Sequence, residues 1–281
     1  MTPGPIGIFD SGYGGLTILT HLRNRLPEHD FLYLGDNART PYGPRSFEVV
    51  YRFTAQAVRT LFEQGCPLVI LACNTASAKA LRTIQQIDLP KIDPCRRVLG
   101  IIRPTVESLG TLTTSRHVGI LATAGTVRSL SYPLEIKKLF PDIVVTGEAC
   151  PMWVPLVENG EATSDGADYF IRQHIDALLS RDPDIDTIVL GCTHYPLLYD
   201  KIRRYTPAHI QLVRQGDYVA ESLADYLSRH PDMDASLTRG GTTRYLTTES
   251  ADTFRNAAAV FLPDTPIHPR HISLTESDAV D

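Results

Sequence analysis

The 281-residue chain has no run of about 18 apolar residues, the length a membrane-spanning helix needs, so no transmembrane segment and no membrane partner are expected. Its first residues, MTPGPIGIFDSG, lack the basic region and apolar core of a secretory leader, and a cytoplasmic protein is the expectation. Positive charge is not in excess: 27 Lys and Arg stand against 32 Asp and Glu, a formal net charge of −5. A phosphate backbone would meet no basic field, which disfavours direct nucleic-acid binding and points to a small-molecule ligand or a protein partner. Cysteine is sparse and odd in number, at 66, 73, 95, 150 and 192, with no Cys-x-x-Cys pair. This pattern argues against a disulfide framework and a zinc ribbon, leaves free thiols as the default, and gives no metal site.

What the chain does have is a series of short apolar runs: IGIF, FLYL, LVILA, VLGII, HVGILA, IVVTG, TIVLG and IQLV. Most are continuous rather than alternating, as strands buried on both faces are. Between them, Phe47, Val50, Tyr51, Thr54, Ala57, Val58, Leu61 and Phe62 recur at helical spacing and Gly65 closes the helix, with further helical patterns over 167–179 and 217–227. Strands alternating with helices predict an α/β fold of parallel sheets covered on both sides. Two proline-bearing stretches, 87–97 and 205–210, read as crossings between halves. The expected architecture is two pseudo-symmetric doubly wound parallel-sheet domains facing each other across a cleft. Residues 1–98 and 212–281 would form a discontinuous first domain carrying Cys73, and residues 99–211 an inserted second domain carrying Cys192. The polar tail from His268 reads as loose.

Two stretches carry the chemistry. LVILACNTASA delivers Cys73, Asn74 and Thr75 from the end of an apolar run, and TIVLGCTHYPLL does the same with Cys192, Thr193 and His194. Ligands of doubly wound sheets sit beyond the carboxyl ends of strands, so facing domains would put the two thiols on opposite walls of one cleft. IGIFDSGYGGL ends another strand on Asp10 and Ser11 before a glycine turn that suits a small carboxylate at a helix N-terminus. The turn fits neither the dinucleotide nor the P-loop pattern. GDNARTPYGPR places Tyr42 and Gly43 in a loop after the second strand, and VPLVENG brings Glu158 to a turn. Cys66, Cys95 and Cys150 lack such settings and read as packing or surface thiols.

Two thiols across a cleft suit inversion of a stereocentre, in which a proton leaves one face and another arrives at the opposite face. Cysteine reaches either protonation state near neutrality. Asp10 would serve Cys73, and His194 with Glu158 would serve Cys192. Ser11, Asn74, Thr75 and Thr193 would offer neutral hydrogen bonds to a substrate's carboxylates, and no cofactor is called for.

In their order and spacing, GIFDSGYGGL, GDNARTPYGPR, LACNTASA, VPLVENG and LGCTHYPLL resemble the glutamate racemases of the aspartate/glutamate racemase superfamily. The resemblance runs from about residue 6 to the YLTTESADTFRNAAAVFL segment. It implies cofactor-independent interconversion of L- and D-glutamate for peptidoglycan, usually in a homodimer. Cys73 and Cys192 would be the proton acceptor and donor. Asp10, Ser11, Tyr42, Gly43, Asn74, Thr75, Thr193 and His194 would line the substrate pocket, and Asp10, Glu158 and His194 would assist the proton transfers. His194 after Cys192-Thr193, and the Pro-Tyr-Gly at 41–43, favour glutamate over aspartate. The chain departs from the family pattern at Asn37, at Thr105 and in the turn 214–220. Two other classes stay open at this stage: a binding role through contact with DNA gyrase, and a thiol redox protein cycling through a Cys73–Cys192 disulfide.

Overall fold

The apolar runs become strands of two separate parallel sheets in a computed structural model that describes residues 2–274. The first strands along the chain are β1 (Ile6–Asp10), β2 (Phe31–Gly35), β3 (Leu68–Leu71) and β4 (Arg97–Gly100). Then come β5 (His117–Ala122), β6 (Val144–Ala149), β7 (Thr187–Gly191) and β8 (Gln211–Val213), followed by β9 (Thr243–Thr247) and β10 (Pro269–His271). The six-stranded sheet has the order β10-β9-β2-β1-β3-β4 and the four-stranded sheet the order β6-β5-β7-β8. Every pairing within them is parallel. The cores of both sheets therefore share one winding. In each, the first strand lies between the second and the third, and the chain reverses direction across the sheet between β1 and β3 or between β5 and β7.

Burial explains why the sequence showed runs rather than alternation. Along β3, Leu68 and Ile70 enter one core while Val69 and Leu71 enter the core on the opposite face. Along β7, Ile188 and Leu190 face one core and Val189 the other. Side chains alternate with period two, but both faces are covered, so both must be apolar. The edge strand β6 instead carries Thr146 and Glu148 and is only partly buried.

The helix expected to close at Gly65 spans Phe47–Glu63; Ser46 caps it by accepting from the Val49 N–H, and Gly65 follows with φ +89°. The other two marked helices run Asp165–Arg181 and Gly216–Arg229, each a little longer than its apolar pattern. No helix of the described residues is long and apolar enough to cross a membrane.

Two expectations change. The VLGII run yields β4, which pairs with β3 in the six-stranded sheet, whereas β8 pairs with β7 in the four-stranded one. Sheet membership thus changes after Gly100 and after Val213, a little later than the divisions at 98/99 and 211/212. The proline-bearing stretches lead into edge strands, Pro90 within the short helix Leu89–Ile92, while the helix Ile102–Leu112 and the turn at Arg214 carry the chain across. The tail, read as loose from His268, contributes β10 to the edge of β9, and Ile272 N–H donates to Thr247 at 2.9 Å. An edge strand needs only backbone hydrogen bonds, so its polar side chains did not announce it. The rest of that tail, 275–281, lies outside the described residues.

Candidate active site

Both winding reversals place chemistry at strand carboxyl ends. Cys73 follows β3 in extended backbone and caps the helix Asn74–Lys79, its Sγ accepting from the Ala76 N–H at 3.4 Å. Ser11, just after β1, holds its Oγ 3.2 Å from the same sulfur. Cys73 is buried, and burial pushes its thiol up to about 12, with Asp10's charge acting in the same direction and the Ser11 and Ala76 contacts opposing. The thiol is a held proton at neutral pH.

Asp10 ends β1 and turns its carboxylate into the glycine turn. Its Oδ2 accepts from Gly12 N–H at 3.0 Å, and Gly15 N–H donates to it as well. Two of the donors of the turn expected to suit a ligand's carboxylate thus serve the chain's own acid. The strand ends so close to the helix that its last side chain reaches the positive end first. Burial raises Asp10 above the ordinary carboxylate range, while His194 and the two N–H groups oppose.

On the other wall, Cys192 follows β7 and its Sγ lies 3.9 Å from His194 Nδ1. His194 Nε2 in turn stands 2.9 Å from Glu158 Oε1, at the end of the helix Trp153–Glu158. Burial would drive a proton off His194, but its bonds to Cys192 and Glu158 win and raise it to about 10. The result is a line of sulfur, protonated imidazole and the Glu158 side chain. The imidazolium gives the sulfur a positively charged neighbour at 3.9 Å.

The two walls meet. Thr17 Oγ1 donates to the Thr193 carbonyl at 3.1 Å, and a methyl on Gly14 would lie only 2.3 Å from His194 Nδ1. Asp10 feels the charges of His194 and Glu158, and Cys73 feels that of Cys192. The facing inferred from strand ends is thus present in the fold.

Other sequence-marked residues divide into those whose side chains remain near the cleft and those already committed. Tyr42 is buried against Phe9 and Phe53 and its hydroxyl donates to Asp36, while Gly43 lies against Thr123. Asn74 spends its carboxamide on Tyr132 and Gln215. Thr75 Oγ1 lies 2.9 Å from Thr123 Oγ1 and 3.4 Å from Thr126 Oγ1, a cluster of hydroxyls spanning the two lobes. Thr123 and Thr126 were missed in the sequence. The strand-end rule that found Cys73 and Cys192 would have found Thr123, which directly follows β5. Gln215, two residues after β8 as Cys73 is after β3, carried the same signal, whereas Tyr132 carried none. Asn37 accepts from Thr247 at 3.0 Å within the six-stranded sheet. Among the described residues all five cysteines are free, Cys95 exposed and the others buried.

The relay has a consequence for stability. His194 is raised from 6.5 to about 10, so its contribution is complete below 6.5 and is lost as pH climbs through 10. Cys66 and Cys73, both raised by burial from 9.0 to about 12, add a further loss above 9. Thermal unfolding should therefore show a falling Tm between pH 7 and 10, with a shallower fall in His194→Gln. A slope unchanged by that substitution would remove the relay from the account.

The profile of the Asp/Glu/Hydantoin racemase family matches residues 17–223. A glutamate racemase from Ruegeria sp. (strain TM1040) is 41% identical over 267 residues, covering 92% of this chain and 96% of that relative. The crystal structure of glutamate racemase isoform RacE1 from Bacillus anthracis superposes with a TM-score of 0.87 at 30% identity, over 96% of this chain and 98% of the other. A second, glutamate racemase from Francisella tularensis subsp. tularensis SCHU S4 in complex with D-glutamate, gives 0.85 at 31% identity over 99% and 100% of the two chains. With the family profile spanning most of its length and these relatives aligned almost end to end, the chain belongs to the Asp/Glu/Hydantoin racemase family.

Proposed function

We propose that this chain interconverts L- and D-glutamate by proton transfer between two cysteines. The observation that carries the reading is the pair of strand-end sulfurs on facing walls, each with its own partners: Ser11 and Asp10 for Cys73, His194 and Glu158 for Cys192. The α-carbon of the amino acid would sit between them. In the resting site one side is a held proton, Cys73, and the other is a sulfur beside an imidazolium. For one enantiomer Cys192 takes the α-proton and Cys73 delivers its own to the opposite face; the other enantiomer is handled with the roles exchanged. That turnover leaves the α-proton on Cys192 and Cys73 as the thiolate, the starting state for the opposite enantiomer; when Cys192 must act as donor from the resting site, its proton comes from His194, whose far nitrogen is held by Glu158. The substrate's ammonium, beside Asp10, would oppose the burial and the Asp10 charge that keep Cys73 from ionising. The hydroxyls of Thr75, Thr123 and Thr126 and the backbone at Gly43 suit a carboxylate, since they bind it without adding a full charge to the thiol pair.

Glutamate rather than aspartate is supported by the names of the aligned relatives and by His194 following Thr193. In deuterated water, L-glutamate should give early D-product labelled at the α-carbon while the remaining L-substrate stays protiated. Rapid washout of the proton into unreacted substrate would point to a single base and defeat the two-thiol reading. Turnover of L-aspartate at a comparable rate would defeat the substrate assignment.

A further inference from the structure

Where the chain crosses between the lobes, four buried side chains close a set of hydrogen bonds. Asn74 Nδ2 donates to Gln215 Oε1 at 2.6 Å, and Tyr132 OH donates to Asn74 Oδ1 at 2.8 Å. Gln215 Nε2 lies 2.9 Å from both Tyr132 OH and Thr105 Oγ1, and Thr105 donates onward to the Ile101 carbonyl at 3.0 Å. Each group is at most 3% exposed, so none can turn to water if a partner is lost.

The set joins the backbone at both thiols. Asn74 is the residue after Cys73. Tyr132, from the second lobe's helix Ser131–Leu139, has its ring edge 3.3 Å from where a methyl on Gly191 would stand, and Gly191 precedes Cys192. Gln215 and Cys192 also line one cavity of about 50 Å³. Gln215 is the member that returns from the second lobe to the first, and it alone bonds to all three others. Thr105 and the 214–220 turn are two places where the sequence departs from the family pattern, and here they meet in one bond.

We propose that Gln215, supported by Thr105, is a positioning residue that sets the spacing of the two thiols by locking Asn74 to Tyr132 across the lobes. A carboxamide is the fitting group: one acceptor for Asn74 and two N–H donors for Tyr132 and Thr105, in a fixed plane. It touches no reacting atom. Its effect reaches the reaction through the placement of Cys73 and Cys192, where displacements of about 1 Å cost as much as 10²-fold. The inference rests on the two-thiol racemase reading.

The test compares wild type, Gln215→Met, Thr105→Val and the double variant, each as full-length folded protein, for kcat and KM with both glutamate enantiomers. Methionine keeps length and apolar volume but removes the acceptor and both donors. Gln215→Met should lower kcat at least tenfold in both directions with KM within threefold of wild type. Thr105→Val should lower it about threefold, and the double variant should be no worse than Gln215→Met, because the support has nothing left to hold. A residue of structural value alone would lower Tm and leave kcat per folded site intact. That result, a change confined to KM, or losses that multiply in the double variant would overturn the proposal. If the methionine variant does not fold, Gln215→Glu, which keeps the acceptor and loses the donors, takes its place. Alkylation of Cys73 and Cys192 by iodoacetamide provides a readout independent of turnover, and Gln215→Met should change its rate at least fivefold at one thiol. Wild type unable to racemise glutamate would condemn the functional reading, whereas unchanged alkylation would condemn the positioning role.

Discussion

Cys73→Ala and Cys192→Ala should each lower kcat for racemisation by about 10²–10⁴-fold, the range a positioned acid or base contributes. In the proposed two-thiol reaction each turnover uses both sulfurs, so neither variant should retain a preferred direction. The loss should not be one of folding: each cysteine is a small side chain at 6% exposure, and alanine leaves a void of one sulfur. Circular dichroism and Tm should stay close to wild type while activity collapses. The two variants should differ in what remains. Cys73→Ala keeps Cys192 with its His194–Glu158 relay, and should still exchange the α-proton of one enantiomer with solvent, visible by NMR as deuterium gained without inversion. Racemisation within tenfold of wild type in either variant would remove that sulfur from its role.

Gly14→Ala should cost about 10²-fold in kcat although it alters no reacting group. Gly14 has φ −58° and ψ −32°, ordinary helical backbone that alanine adopts freely, so the first lobe's own fold is not strained. The obstacle lies across the cleft: the new methyl would stand 2.3 Å from His194 Nδ1 and 2.4 Å from Thr193 Oγ1. Either His194 swings off Cys192 or the lobes part by about an ångström, and both spoil the proton relay. Wild-type kcat in Gly14→Ala would show that the lobes do not close on one another in the working enzyme. Gly15→Ala makes a useful contrast, because its methyl would meet Asp10 Cβ at 2.6 Å within the same lobe. There the expected cost falls on stability as well as on rate.

How much of this could be read without coordinates varies from element to element. The inner strands could be read because burial on both faces forces continuous apolar runs, as in Leu68–Leu71 and Thr187–Gly191. The edges could not. β10 is a Pro-Arg-His segment with no apolar run to mark it, and β4 reads the same whichever sheet it joins. The positions of Cys73, Cys192 and His194 were legible because apolar runs end just before them, whereas Glu158 was marked from its turn and stands at the end of a helix. Tyr42 and Asn74 were marked as pocket residues from their motifs, yet their side chains are spent on Asp36 and on the Tyr132–Gln215 pair.

The sequence alone determined the parallel α/β architecture and the delivery of two thiols to strand ends, since both follow from local pattern: apolar runs, helical periodicity and the residue that comes next. Only the tertiary structure decided which donors are free, which lobe each edge strand joins, and that Gln215 ties Asn74 to Tyr132. Those outcomes depend on groups 58 to 141 residues apart in sequence meeting in space, and hydrogen-bond partners at such separations leave no periodic trace in the chain.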